Sequence, residues 1–127
     1  MDQKEVARVV ADRSGLSREE SADIVRAVLE GIADQLSEGQ VRQLAAELPI
    51  LPARAQAPRR RRQGAHPVRL LPFIRHLSAR TGLTDDEASA GTGAVLGVLR
   101  QTLGGDEYRR LMAQLPTEYD GLVQTAR

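Results

Sequence analysis

The 127-residue chain has no cysteine and no tryptophan, and its only aromatic residues are Phe73, Tyr108 and Tyr119. Without cysteine there is no disulfide, no thiol nucleophile and no cysteine-ligated metal. With 41 % hydrophobic residues but only 2 % aromatics, the interior has to be built from Leu, Val, Ile and Ala. That mixture suits packed helices better than a sandwich or barrel, which would draw on aromatic and β-branched residues. No apolar run approaches the roughly 18 residues that a membrane span requires. The first residues, Met1-Asp2-Gln3-Lys4-Glu5, are polar and charged, with no apolar stretch behind a basic one. No secretory signal and no membrane partner are expected, and a cytoplasmic location is the default.

Lysine is nearly missing too, since Lys4 is the only one among 18 basic residues. The net charge of +1 conceals an uneven layout. Residues 1–49 carry six basic and ten acidic side chains, whereas 50–72 carry six arginines and no acid. Residues 73–127 return to near balance, with six basic and seven acidic groups. The whole positive excess therefore sits in one short stretch.

What is present is a repeat. Residues 6–49 laid over 73–116, an offset of 67 without a gap, match at 14 of 44 positions. Each copy predicts three helices. In the first, Asp2 and Glu5 open a helix with Val6, Val9 and Val10 on one face, and Gly15 closes it. Ser17 and Glu20 form a capping box for a second helix carrying Val25, Val28, Leu29, Ile32 and Leu36 at helical spacing. Ser37 starts a third, with Val41, Leu44, Ala45 and Leu48 on its apolar side and Pro49 as its stop. The second copy repeats these signals. Pro72 lies near a helix start, Phe73, Ile74 and Leu77 form the buried face, and Gly82 ends the helix. Thr84 and Glu87 rebuild the capping box ahead of Thr92, Val95, Leu96, Leu99 and Leu103. Tyr108, Leu111, Met112 and Leu115 belong to the last helix of the copy.

A 44-residue unit is too short to offset its chain entropy comfortably. The expected fold is thus all-α: a six-helix bundle from two tandem three-helix repeats sharing one core about an internal pseudo-twofold. Two independent small bundles on a string are the competing arrangement. The chain divides into repeat one (2–49), a Pro/Arg-rich connector (50–69), repeat two (70–116) and a C-terminal extension (117–127). The extension could add a short helix anchored by Tyr119, Leu122 and Val123. The connector, with Pro52, Pro58 and Pro67 and the run Arg59-Arg60-Arg61-Arg62, is expected to be exposed and poorly ordered.

Candidate chemistry is sparse. Arg59, Arg60, Arg61 and Arg62 could contact phosphate or an acidic partner, since clustered arginines neutralise phosphates and release counterions. They could equally be a solvated linker, and no aromatic stands beside them to stack on bases. Two histidines, His66 and His76, are too few for a metal site without cysteine, and His76 is expected at the core boundary. Asp85, Asp86 and Glu87 follow Thr84 in a first helical turn, where acids complement the helix dipole. Gly91-Thr92-Gly93 with Gly97 resembles a phosphate loop only superficially, for it lacks the preceding strand and the lysine. The glycines fall inside the fifth helix, so Gly93 and Gly97 predict a close helix–helix approach, with that helix either central or the weaker one. No nucleophile elbow and no serine with histidine and acid partners is present. No enzymatic activity and no cofactor are expected.

The combination Gly15-Leu16-Ser17 with Glu20, Ala27-Val28-Leu29, and Leu44 with Leu48-Pro49 recurs as Gly82-Leu83-Thr84 with Glu87, Ala94-Val95-Leu96, and Leu111 with Leu115-Pro116. This pattern resembles a bacterial family catalogued as domain of unknown function 2267, over nearly the whole chain outside the connector. The resemblance implies a small all-helical protein with two such copies and carries no catalytic residue with it. Residues 6–39 are more faintly similar to the opening helices of the histone-like protein HU, which form that protein's dimer core. The function expected is a non-enzymatic helical scaffold or interaction module with a protein partner, acting as a monomer or homodimer. A weak nucleic-acid-associated protein using the 59–62 run is the alternative, and an enzyme with an unrecognised groove is the third reading.

Overall fold

In the computed structural model, residues 2–56 and 66–123 are described. Seven α-helices and one 3-10 turn occur among them, with no strand: α1 (Gln3–Ser14), α2 (Arg18–Gln35), α3 (Glu38–Glu47), α4 (Ala53–Gln56), α5 (Leu70–Thr81), α6 (Asp85–Thr102), α7 (Gly105–Gln114) and the 3-10 turn Thr117–Leu122.

Local chemistry sets most of these boundaries. Asp2 accepts from the Glu5 amide at 2.9 Å and caps α1. Gly15 then leaves the helix at φ +78°, a left-handed conformation that a side chain would resist. The Ser17 hydroxyl accepts from the Glu20 amide at 3.1 Å, and the Glu20 carboxylate accepts from the Ser17 amide at 2.9 Å. Thr84 and Glu87 repeat this reciprocal cap on α6 at the same distances. Helix α5 has no side-chain cap of its own at Arg69. Its first amide, from Leu70, instead donates to the Glu118 carboxylate at 3.1 Å, an acceptor brought from the 3-10 turn.

The two long helices organise the interior. Helix α6 touches α1, α2, α5, α7 and the 3-10 turn, and α2 touches α1, α4, α5 and α6. One apolar cluster runs from Val6 through Leu36, Phe73 and Leu99 to Tyr119. Contacts cross between the halves throughout: α1 lies on α6, and α5 lies on α2. The expected positions Val25, Val28, Leu29, Ile32, Leu36, Val95, Leu96, Leu99 and Leu103 are all buried. Helix α6 holds the predicted central place, with Gly91, Gly93 and Gly97 all buried. A close approach occurs at Gly91, where an added Cβ would stand 2.8 Å from Cγ1 of Ile24.

Two expectations need correction. The connector does not begin loosely, because Ile50, Leu51 and Ala55 are buried and α4 folds against α2 and α3. Ile50 and Leu51 are large aliphatics following a helix stop, and burying them outweighs the proline-rich sequence around them. Its far end is also tied, for the His66 amide donates to the Gln35 carbonyl at 2.9 Å. His76 is exposed on α5 and does not sit at the core boundary. It points away because Phe73, Ile74 and Leu77 already take the inward positions of that helix.

Candidate interaction groove

Helix α3 starts immediately after α2 ends. The Ser37 hydroxyl accepts from the Gln40 amide at 3.3 Å, and the Gln40 side chain accepts from the Ser37 amide at 3.0 Å. Helix α7 starts after Gly104 with no side-chain cap, and the Glu107 carboxylate lies over Gly104 where a side chain would stand. Helix α3 rests on α4, whereas α7 rests on α6 and the 3-10 turn. A groove of about 150 Å³ opens between α3 and α7.

Leu36, Leu44, Leu103 and Leu111 form its floor, and Gln40, Gln43, Glu47, Glu107, Arg110 and Gln114 form its rim. The lining falls into pairs that stand 67 positions apart: 36 with 103, 40 with 107, 43 with 110, 44 with 111 and 47 with 114. Every α3-side residue lining the groove thus has its repeat counterpart in the lining on the α7 side. Chemically this is an apolar trough with amide and charged edges. Its lining includes two carboxylates, Glu47 and Glu107, and one guanidinium, Arg110.

The groups whose proton affinity the fold displaces do not line this groove. Burial, outweighing the lowering effect of Arg100, raises the Tyr108 phenol. The Arg69 guanidinium, at 2.7 Å, and the Leu70 amide hold the Glu118 carboxyl below its ordinary value. Burial pushes Tyr119 up to about 12. Tyr119 and Glu118 belong to a structural clasp, in which Gln35 Nε2 donates to Tyr119 Oη at 3.0 Å and Tyr119 donates to the Val68 carbonyl at 2.8 Å. The Val68 amide completes it by donating to Gln35 Oε1 at 2.8 Å.

The arginines singled out from the sequence, Arg59, Arg60, Arg61 and Arg62, lie outside the described residues. Among the described residues no three His, Cys, Asp or Glu side chains come together in a metal-holding group. Asp85 and Asp86 are exposed in the first turn of α6, and Glu87 serves the cap. Sequence reasoning missed the groove. Gln43, Glu47, Arg110 and Gln114 flank Leu44 and Leu111 on short amphipathic helices, but nothing in a linear pattern says that two such helices leave a gap between them. The available signal was that the flanking positions are polar in both copies, Gln43 with Arg110 and Glu47 with Gln114.

None of the described helices is long and apolar enough to cross a membrane. No curated protein matches the chain. A family model described as an uncharacterized conserved protein (DUF2267) matches residues 3–125, a span that takes in every helix above, and the chain therefore belongs to that family.

Proposed function

We propose that this protein is a non-enzymatic helical interaction module whose α3/α7 groove receives an amphipathic helix of a protein partner. The observation that carries this reading is the leucine floor bordered by amides and charges. Helix-in-groove recognition uses such a trough, with apolar anchors entering the floor and polar flanks meeting the rim. Glu47 and Glu107 outnumber Arg110 on that rim, and residues 1–49 carry ten acids against six bases. The partner helix is accordingly one with a leucine-type stripe and basic flanks.

Titrating the full chain with a Leu/Lys amphipathic model peptide, and with a Leu/Glu peptide of equal length, tests this. Amide shifts are expected on α3 and α7 with the Leu/Lys peptide only. Glu47→Lys should weaken binding about five-fold, in keeping with a rim charge. Equal response to both peptides, or shifts scattered over all helices, would remove the reading.

A further inference from the structure

The halves meet through side chains that are complementary where the repeat makes them equivalent. Ile24 on α2 and Gly91 on α6 occupy matching repeat positions, 67 residues apart. They also face each other, since a Cβ built on Gly91 would lie 2.8 and 3.1 Å from Cγ1 and Cγ2 of Ile24. A second notch lies on α2, where a Cβ at Gly31 would stand 3.1 and 3.2 Å from ring carbons of Phe73 on α5. The matching repeat positions are Val98 for Gly31 and Val6 for Phe73, so the equivalent pair is two valines of equal size and has neither ring nor notch. Glu30 on α2 holds Arg80 on α5 in an ion pair, and Gly97 stands at the position matching Glu30.

Consider each half meeting a copy of itself. Two first halves would set Ile24 against Ile24, where the present spacing leaves no room for even one added methyl. They would also place Val6 at the Gly31 notch that the Phe73 ring now fills. Two second halves would set Gly91 against Gly91, leaving a void, and would drive Phe73 onto Val98. Arg80 would then face Gly97 and have no carboxylate. Only the mixed pairing avoids both the overlap and the void, each of which is destabilising in a packed interior.

We propose that the surface between the halves is a recognition interface that rejects like halves, with Ile24/Gly91 and Phe73/Gly31 as its specificity-determining pairs. The partner it fits, beyond the chain's own other half, is the opposite half of a second copy, so two copies can associate through it only by reciprocal exchange. This rests on the half-to-half contacts and is independent of the α3/α7 groove.

The test uses full-length chains refolded from urea at high protein concentration and read by native mass spectrometry and urea midpoint. Gly91→Ile and Ile24→Gly should each lower the midpoint. The exchanged double variant, Ile24→Gly with Gly91→Ile, should regain more than half of either loss, because it merely moves knob and hole to opposite helices. Refolding the two single variants together should give a heterodimer, since each exchanged pairing then joins one isoleucine to one glycine. Neither variant alone should yield a dimer in comparable amount. Failure of both rescues, or equal dimer from a single variant alone, would overturn the proposal.

Discussion

Gln35 and Tyr119, separated by 84 residues, are both fully buried and joined through their side chains at 3.0 Å, with the Val68 peptide held between them. The amide and the phenol each spend a second bond on the Val68 backbone, so four polar groups are satisfied together. The Tyr119 ring also meets Phe73 edge-on, with centroids 5.4 Å apart.

Tyr119→Phe keeps the ring and removes the hydroxyl, which leaves the Gln35 amide and the Val68 carbonyl short of partners. The expected loss is about 1–3 kcal/mol by chemical denaturation. Gln35→Leu with Tyr119→Phe should cost less than the two single losses added together, because the groups act as one network.

Stability should fall in alkali. The folded phenol of Tyr119 ionises near 12, well above its ordinary value of 10.0, because burial disfavours the anion. The unfolded chain therefore gives up this proton first as the pH rises. The contribution is whole below about pH 10 and is lost on the way to about pH 12. Denaturation midpoints measured from pH 8 to 12 should show this decline, and Tyr119→Phe should flatten most of it. Tyr108, raised in the same direction, contributes with the same sign.

Glu118 gives the opposite limb. Its carboxyl is held low by Arg69 and the Leu70 amide, so its contribution is present above the ordinary carboxylate range. That contribution disappears as the pH falls through the depressed folded value. Glu118→Gln should leave midpoints in that acid range less dependent on pH than those of the parent chain.

The two ion pairs Glu30–Arg80 and Asp106–Arg109 should behave differently. The Glu30 side chain is only 6 % exposed, whereas those of Arg109 and Asp106 are 75 % and 71 % exposed. Arg80→Ala leaves a buried carboxylate without its partner and should cost on the order of 2 kcal/mol. Arg109→Ala should change stability by less than about 0.5 kcal/mol. Thermal or urea melts of the two variants make the comparison.

Much of the fold was legible because local rules and apolar spacing agreed. Gly15 and Gly82 end their helices with φ of +78° and +76°, and Ser17 and Thr84 cap theirs, as the letters suggest. The clasp was not legible. Gln35 reads as the polar last residue of a helix, and only the arrival of a chain segment 84 positions away makes it an interior group. Helix α4 was hidden for a related reason, since Pro52 and Pro58 flank a short run whose fate depends on the surface waiting for Ile50, Leu51 and Ala55. The groove was further out of reach, because it is a space left by α3 and α7 and no residue type announces a space.

The cap that Glu118 lends to α5 and the seal that Tyr119 sets over Val68 tie the middle of the polypeptide to a much later stretch. A shortened product stopping ahead of position 118 would thus expose the start of α5 and strand Gln35 inside an unsealed end. Premature termination there should yield a fragment prone to sticking and degradation, even though all seven α-helices had already been written into it.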